Sequence, residues 1–358
     1  MKKTHLAAQM FFAAVEIEDI RPYGTGKVND TFLVTLGGDK QAYLLQKLSS
    51  QVFPRSDWVM ENLRVVCDHV AAKGGNFDGR RWEMPFIRQT KSGRDFWLDN
   101  EGDCWRALHF IRESECFDEV DSPARGHEVG FALGRFHRLI NDLDPRRLHD
   151  TLPGFHVTPL YLSRYDRILA RSQRTESVDI RFCRNFIDQR RGAADVLEKA
   201  AGQGKLHLRP IHGDPKLSNI LFDRNNGLAV SLIDLDTVKP GLILYDIGDC
   251  LRSSCNRAGE ECSLSDVVFD IDLCRAVMEG YAEEAGTLLT RHDVDLLFDA
   301  VKLIALELGI RFFTDYLEGD VYFKTSFPLQ NMERALVQFR LLESIEKQER
   351  NFSSIVRM

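Results

Sequence analysis

The sequence predicts an α+β fold of two lobes, in which a small lobe built on an antiparallel sheet precedes a larger, mostly helical lobe. Two observations carry this prediction. In the first third of the chain, short aromatic or β-branched runs are separated by turn signals, which is typical of strands. After about residue 116, apolar residues recur at helical spacing instead. We place one domain at residues 1–112 and the other at 113–358, with a hinge near 112–117.

The first lobe is predicted to begin with a helix and to continue with five strands. Residues 1–20 carry an apolar run and no small-residue cleavage site, so we interpret them as an amphipathic helix rather than a signal peptide. Between the second and third strands, residues 56–74 predict a helix that Ser56 or Asp57 caps and that ends at Gly74. The predicted strands lie within 30–38, 41–49, 82–90, 94–100 and 105–113.

The second lobe is predicted to hold five helices and one small region of strands. The region at 206–234 contains Asn226-Gly227, a dipeptide that favours a two-residue type I′ hairpin turn because both residues tolerate positive φ. The predicted helices cover 125–143, 177–200, 265–285, 291–317 and 331–350.

Composition limits the classes of function. The formal net charge of -7 argues against a general nucleic-acid binder, since phosphate contacts need clustered Lys and Arg. A small anionic ligand is compatible with it, because local fields matter more than the total charge. The eight cysteines form no CxxC pair, which favours a reducing cytoplasm over a disulfide framework. No apolar run is long enough to span a membrane. We therefore expect a cytoplasmic protein without nucleic-acid or membrane partners.

One stretch, His-Gly-Asp-x-x-x-x-Asn at residues 212–219, combines residue types that few loops need together. A hairpin centred on Asn226-Gly227 would place Asn219 opposite Asp234, because paired positions keep a constant sum. An amide oxygen and a carboxylate would then lie side by side at the open end of the hairpin. Hard oxygen ligands gathered in this way suit Mg²⁺.

These residues match the needs of phosphoryl transfer from ATP. That chemistry needs an aspartate that orients the acceptor hydroxyl and takes its proton, here Asp214. It also needs an asparagine and a second aspartate that hold Mg²⁺ against the phosphates, here Asn219 and Asp234. We expect His212 to hold the loop rather than to act as a base.

The motifs at 212–219 and 233–235 resemble the H-G-D-x-x-x-x-N and I-D-[FLW] motifs of the aminoglycoside phosphotransferase and choline kinase superfamily. Asp246 falls on that superfamily's Y-D-[IL] aspartate. Within the superfamily, four segments together resemble the N-acetylhexosamine 1-kinases, and this resemblance spans nearly the whole chain. The four segments are 23–35, 43–54, 233–252 and 306–324.

The resemblance implies a protein-kinase-like fold with a nucleotide-binding first lobe and a catalytic, substrate-binding second lobe. It implies ATP and Mg²⁺ as cofactors. It also implies transfer of phosphate to the anomeric hydroxyl of N-acetylglucosamine or N-acetylgalactosamine, a small sugar partner.

The first lobe offers four candidates for nucleotide binding. Gly24 and Gly26 precede a predicted hairpin and would let the backbone approach a phosphate, although a plain turn explains them as well. On the following strand, alternation lets only one of Gln46 and Lys47 face the phosphates, and we favour Lys47 for its charge. Glu61 is the candidate ion-pair partner of this lysine, with a solvent-exposed glutamate as the alternative.

The acceptor candidates lie on one late helix, where Glu307, Arg311 and Asp315 are spaced four apart. An exposed ladder of ion pairs is the default interpretation of this spacing. The apolar residues around them instead suggest burial, where charges need partners. An Arg311–Asp315 pair would suit sugar hydroxyls, and Tyr322 could pack on a ring face.

Three functions are compatible with these residues. The first is an ATP-dependent kinase of an N-acetylhexosamine. The second is a kinase of the same fold that acts on choline, an aminoglycoside or another small alcohol, for which an arginine in the pocket would be unfavourable. The third is a non-catalytic pseudokinase, which should lack Asp214, Asn219 or Asp234, whereas all three are present.

Overall fold

The computed structural model describes residues 2–13, 16–24, 28–38, 41–74 and 79–356. The chain divides into two units, of which the first is built on an antiparallel sheet and the second is mostly helical. The predicted α+β class is thereby confirmed. The first unit comprises Met1–Ser114, Asp142–Pro153 and Ile233–Pro240, and the second Glu115–Asn141, Gly154–Leu232 and Gly241–Met358.

The described residues form eleven α-helices and eleven strands. The helices are α1 (Lys2–Phe11), α2 (Ser56–Ala72), α3 (Pro123–Ile140), α4 (Thr158–Leu169), α5 (Val178–Arg190), α6 (Val196–Gly202), α7 (Ile243–Ser254), α8 (Ile271–Ala285), α9 (Arg291–Glu318), α10 (Gln330–Glu346) and α11 (Glu349–Val356). The strands are β1 (Ile17–Pro22), β2 (Asp30–Leu36), β3 (Ala42–Lys47), β4 (Ile87–Arg88), β5 (Trp97–Leu98), β6 (Cys104–His109), β7 (Ser114–Glu115), β8 (Arg209–Ile211), β9 (Ile220–Asp223), β10 (Ala229–Leu232) and β11 (Lys239–Gly241).

The sheet of the first unit has the order β1-β2-β3-β6-β4, with β5 paired to β6. Successive side chains of a strand point to opposite faces, so each strand of this sheet has one face toward α1. A core joins Ala8, Phe11 and Phe12 of α1 to Leu45 and Trp105 of the sheet. The face away from α1 carries polar residues: Gln46 pairs with Thr31 on one side and with Arg106 on the other.

Two predictions for the first unit were wrong in detail. The helix predicted over residues 1–20 ends at Phe11, and Ile17–Pro22 forms β1, which pairs with β2. Alternation of acidic and apolar residues is interrupted at the consecutive Glu18 and Asp19, where the pairing with β2 shifts register as in a β-bulge. The N-cap of α2 is Arg55, without a side-chain cap, rather than Ser56 or Asp57.

The second unit contains an unusually close helix pair. At Gly130 of α3 an added Cβ would lie 1.8 Å from the carbonyl oxygen of Val277, and at Gly280 of α8 it would lie 1.9 Å from that of His127. The two backbones are therefore in direct contact, which no other residue type would allow. This contact fixes α3 against α8.

The long helix α9 has well-defined ends. Thr290 and Asp293 form a capping box at its start, and Gly319 ends it with a φ of +103°. The helix matches the predicted 291–317 closely. The predicted helix 177–200 is instead broken into α5 and α6 by a 3₁₀ turn at Arg191–Ala193. Helices α4, α7 and α11 were not predicted.

Within the described ranges, no helix combines the length and apolar character that a membrane span requires.

Candidate active site

The loop between β8 and β9 carries the motif at 212–219. Asp214 is half-buried, and its Oδ2 lies 2.7 Å from Nζ of Lys216. Asn219 ends a 3₁₀ turn and donates from Nδ2 to the backbone oxygen of Asp214 at 2.8 Å and to its Oδ2 at 3.2 Å. Asp214 and Asn219 are therefore brought together, as the five-residue spacing predicted.

The backbone of this loop is held by a buried carboxylate at the start of α7. Asp246 accepts hydrogen bonds from the N–H groups of His212 at 2.6 Å and of Gly213 at 2.8 Å. His137 of α3 contacts the same carboxylate through Nε2 at 2.9 Å. Gly213 has a φ of +86°, a conformation in which a side chain would be strained. The loop that presents Asp214 is thus fixed by groups that are fully buried.

His212 has the structural role that we expected of it. Its ring is fully buried, and its Nδ1 accepts the N–H of Asp214 at 3.2 Å. An acceptor at Nδ1 leaves the ring proton on Nε2 when the imidazole is neutral. The ring also packs edge-on against Phe136, at 5.3 Å between centroids. His212 therefore supports the backbone of Asp214.

The loop has oxygen atoms that suit a cation and a hydroxyl group. Asn219 turns its amide nitrogen toward Asp214, so its amide oxygen is left to bind a cation. Among the described residues, no three His, Cys, Asp or Glu side chains are grouped to hold a metal. This arrangement fits Mg²⁺, which proteins commonly bind through one or two side chains together with phosphate oxygens.

The predicted hairpin forms, but with a different turn and register. Asp223 and Leu228 close a four-residue loop, in which Gly227 has positive φ and Asn226 does not. Ala229 pairs with Phe222, and a bulge precedes the pair of Leu232 with Ile220. Asn219 and Asp234 both lie outside these strands, so the predicted pairing of these two residues across the ladder is wrong.

In the first unit, Asp236 lies in a buried polar cluster on the side of the sheet away from α1. Its Oδ1 is 2.6 Å from NH1 of Arg106, and both side chains are 2% exposed. Its Oδ2 accepts a hydrogen bond from Nδ2 of Asn29 at 2.7 Å. Gln46 accepts from Nε of Arg106 at 3.0 Å. Asp234, two residues earlier, is exposed and has a φ of +65°, which is unusual for a residue other than glycine.

Lys47, favoured as the cation that faces the phosphates, does not lie on the same side of the sheet as Asp236. Lys47 lies on the α1 side, 3.4 Å from Asp30 and 3.6 Å from Asp103. Glu61 contacts Nε2 of His149 at 2.6 Å, so the predicted Lys47–Glu61 ion pair is wrong. Strand alternation places Gln46 on the side of the sheet away from α1. On that side, the guanidinium of Arg106 contacts both Gln46 and Asp236.

The glycines predicted to approach a phosphate are described only in part. Gly24 has a φ of +75°, which agrees with a tight turn. Gly26 lies outside the described residues. Asn29, on the same segment, also accepts the N–H of Ser49 at 3.0 Å through Oδ1. The start of β2 is thereby tied to Ser49, two residues after β3, and to Asp236.

Arg311 of α9 lies among aromatic rings in the second unit. Its guanidinium carbon is 5.0 Å from the ring centre of Phe155, 5.2 Å from that of Tyr161 and 5.5 Å from that of Phe323. NH1 is 3.9 Å from Oε1 of Glu307, which is fully buried. Burial raises the pKa of Tyr161 to about 12, so its hydroxyl is neutral at ordinary pH. The site is thus aromatic, with a positive charge at its centre.

Arg311 also interacts electrostatically with Asp214. Burial alone would lower the pKa of its guanidinium, but Tyr161, Glu307, Tyr322 and Asp214 raise it above the ordinary value. Within the second unit, Arg311 and Asp214 are therefore close enough for their charges to interact.

Asp315, predicted to bind a substrate hydroxyl, has a different environment. Its carboxylate accepts the backbone N–H groups of Val321, Tyr322 and Phe323 at 2.8–3.0 Å, and an amide N–H of Asn331 at 3.0 Å. Four donors leave it little capacity for a ligand. Asp315 anchors the segment after α9, whereas the side chain of Tyr322 is half exposed and remains a candidate.

The sequence pattern of the phosphotransferase enzyme family matches residues 19–281, well over half of the chain. The chain belongs to this family.

Several solved structures are similar to this phosphotransferase at 12–14% sequence identity, a level that shows the fold alone. An aminoglycoside phosphotransferase from Alicyclobacillus acidocaldarius has a TM-score of 0.65 at 14% identity, over 96% of this chain and 95% of its own. A choline kinase from Cryptosporidium parvum has a TM-score of 0.62 at 12%, over 97% and 95%. A spectinomycin phosphotransferase in complex with ADP and spectinomycin has a TM-score of 0.55 at 12%, over 96% and 98%.

Sequence reasoning missed three residues of this phosphotransferase. Arg106 is a lone arginine in an apolar strand, and its partner lies 130 positions later. Lys216 follows Asp214 by two positions, so its proximity could have been expected. His156, with a φ of +66° and a buried ring, belongs to a loop that no motif identified.

Proposed function

We propose that this phosphotransferase transfers the γ-phosphate of ATP to the anomeric hydroxyl of an N-acetylhexosamine, either N-acetylglucosamine or N-acetylgalactosamine. One observation carries the choice of acceptor: the aromatic rings of the acceptor region surround the protein's own guanidinium, that of Arg311.

The position of Arg311 argues against a cationic acceptor. Aromatic rings attract an ammonium group through their π faces, which is how cages for choline-like ligands work. Here the ring faces of Phe155, Tyr161 and Phe323 are already in contact with a positive charge. A second cation would be repelled in a region of low dielectric constant. A guanidinium offers only donors, which suit the hydroxyl and carbonyl oxygens of an N-acetylated sugar.

Asp214 is the proposed base, which orients the anomeric hydroxyl and accepts its proton. Its Oδ2 is engaged by Lys216 and Asn219, whereas Oδ1 has no hydrogen-bond donor among the described residues. We assign the acceptor hydroxyl to Oδ1. Lys216 contacts the other oxygen of the same carboxylate, so its ammonium group would lie near the attacking hydroxyl. Its positive charge would there stabilise the negative charge of the transferred phosphate group.

We propose Asn219 and Asp234 as the protein ligands of Mg²⁺, on the strength of the family motif and of the free amide oxygen of Asn219. When bound, the ion neutralises charge on the phosphate oxygens. The structurally similar spectinomycin phosphotransferase was solved with ADP, which supports an adenine nucleotide as the phosphate donor. Gly24 and Gly26 remain candidates for the nucleotide site, whereas Lys47 is paired with Asp30 and Asp103 on the α1 side and Glu61 is paired with His149.

A second candidate is a kinase that acts on choline, an aminoglycoside or another small alcohol. Its support is the fold shared with an aminoglycoside phosphotransferase and a choline kinase. A pseudokinase is the third candidate, and the presence of Asp214, Asn219 and Asp234 disfavours it.

The test is product analysis with a panel of acceptors. The protein is incubated with ATP, Mg²⁺ and, separately, N-acetylglucosamine, N-acetylgalactosamine, choline, ethanolamine and an aminoglycoside. Phosphorus NMR then identifies the phosphorylated hydroxyl. We expect an N-acetylhexosamine 1-phosphate. Turnover only with the cationic acceptors would support the second candidate, and the same assay with Asp214→Asn excludes a contaminating kinase.

A further inference from the structure

We infer that His156 is a positioning residue that ties the carbonyl group of Gly213, next to the proposed base, to the acceptor-side helix α9. The kinetic part of this inference rests on the proposed function, whereas its structural part does not. His156 touches neither phosphate nor acceptor in this role; it acts through Gly213 and Glu307.

The geometry around the ring of His156 is well defined. Nε2 lies 2.8 Å from the backbone oxygen of Gly213, and Nδ1 lies 3.2 Å from Oε1 of Glu307. The ring is 3% exposed and packs between Phe155, at 4.0 Å, and Tyr245, at 5.6 Å. Its backbone has a φ of +66°. A non-glycine residue keeps such a conformation only where its surroundings over-determine it, and this often occurs at functional sites.

With Glu307 ionised, both partners of the ring are acceptors, so both ring nitrogens donate and the ring is an imidazolium whose charge balances the buried carboxylate. Burial lowers the pKa of His156, but the nearby carboxylates of Glu307 and Asp249 outweigh this effect. The pKa therefore lies above the ordinary value for histidine. Of the other charged groups nearby, Asp249 is paired with Arg252 at 2.8 Å, and Arg311 shares Glu307.

This contact completes the support of the peptide groups around Gly213. Asp246 holds the N–H of Gly213, and His156 holds its C=O. With both groups fixed, the direction in which the chain enters Asp214 is set. Glu307 meanwhile receives the hydroxyl of Thr158 at 3.0 Å and lies one helical turn before Arg311. The imidazolium thus connects the loop of the base to the helix that carries the acceptor-binding guanidinium.

The test compares His156→Gln and Glu307→Gln with His127→Gln, a half-exposed histidine on α3 whose partners, Glu128 and Glu283, lie outside the site. Amide hydrogen exchange is measured for the peptide covering residues 206–222. We expect faster exchange in the first two variants, by up to about tenfold, the factor that a single hydrogen bond supports. The His127→Gln variant should match the unmodified protein. This readout does not require any catalytic activity.

The kinetic readout separates positioning from general damage. With the acceptor that the unmodified enzyme uses, kcat should fall on the order of 10²-fold in both variants, because a misplacement of about 1 Å has that effect. KM for ATP should not change. The double variant should lose no more than the worse single variant, since both act through one contact.

Unchanged exchange of residues 206–222 in both variants would overturn the inference, whether or not any acceptor is turned over. Additive losses in the double variant would also overturn it. An inactive wild-type enzyme with the expected exchange would instead contradict the proposed function and leave the contact established. If His156→Gln does not fold, Glu307→Gln, which replaces one oxygen by an amide nitrogen, provides the same comparison.

Discussion

Nζ of Lys216 lies 2.7 Å from Oδ2 of Asp214, on the opposite side of the carboxylate from the oxygen that we assign to the acceptor hydroxyl. If Asp214 takes a proton during transfer, Asp214→Asn should lower kcat by roughly 10²–10⁴-fold, the usual contribution of a general base. Nucleotide binding should survive. Steady-state kinetics and calorimetric titration with nucleotide measure the two quantities, and near-normal turnover by the folded variant would refute the assignment.

Replacement of the proposed Mg²⁺ ligand Asp234 should weaken the binding of the nucleotide as well as lower the rate of catalysis. Asp234→Ala should weaken the binding of Mg-ATP and should not change the binding of ATP in EDTA. The expectation follows from the loss of a carboxylate next to the phosphates. Isothermal titration calorimetry with and without Mg²⁺ checks it, with the exposed Asp118→Ala as a matched control. Equal Mg-ATP affinity in both variants would contradict the metal role.

Removal of the guanidinium of Arg311 should change acceptor choice. Arg311→Ala should raise KM for the sugar about 10–100-fold, since a hydrogen bond to a charged group contributes about 1.5–3 kcal/mol. KM for ATP should stay constant. The emptied aromatic region of Phe155, Tyr161 and Phe323 should in turn gain weak binding of choline, measured by calorimetry. The control is Arg191→Ala, a surface arginine paired with Asp166.

The carboxylate of Asp315 should matter for the order of the segment that follows α9. Asp315→Asn replaces an acceptor of four hydrogen bonds by a group with one oxygen and an opposing N–H. The exposed Lys324 should then be cleaved faster by trypsin. Mass spectrometry of timed digests follows this cleavage. Asp299→Asn, on the same helix and paired with the neighbouring Lys302, should show the rate of the unmodified protein.

Breaking the buried ion pair of Arg106 and Asp236 should destabilise the first unit. Arg106→Met leaves the carboxylate of Asp236 without its counter-charge, which typically lowers the free energy of unfolding by about 3–5 kcal/mol. All four tryptophans, at positions 58, 82, 97 and 105, lie in the first unit, so urea unfolding followed by tryptophan fluorescence reports on this unit. The exposed Arg94→Met should have little effect, and an equal midpoint for both variants would contradict the prediction.

The sequence predicted those parts of the structure that local pattern determines. The class of fold, the long helix α9 and the proximity of Asp214 to Asn219 follow from periodicity and short spacing. The hairpin was misjudged because Asp223 closes a longer loop: its Oδ1 accepts the N–H of Asn225 at 2.8 Å and competes with the two-residue turn. An Asp two residues before an Asn can form this contact locally, so the sequence alone is compatible with either turn.

Other features depend on contacts between distant residues and could not be obtained from one sequence. Strand alternation allowed either Gln46 or Lys47 to face the nucleotide. The structure distinguishes the two faces of the sheet, because Gln46 and Asp236 both contact Arg106 on one face. Asp315 has the spacing of a ligand-binding residue, yet its role is set by a turn that brings Val321–Phe323 back to it. Charge and spacing do not distinguish a ligand contact from an internal anchor.

The glycine contact between α3 and α8 has a consequence for how acceptor preference can diversify. His137 on α3 meets Tyr281 on α8 at 3.0 Å and the carboxylate of Asp246 at 2.9 Å, so the spacing of the two helices also sets the support of the base. Even a methyl group at Gly130 or Gly280 would push the helices apart. Near Arg311 on α9, Gly309 is also tight, since an added Cβ would lie 2.4 Å from a ring carbon of Phe339, but the neighbour there is a side chain and not a backbone. Random libraries that aim at new acceptors should therefore vary the residues around Arg311 and keep both glycines fixed, because a change there would remove activity towards every acceptor at once.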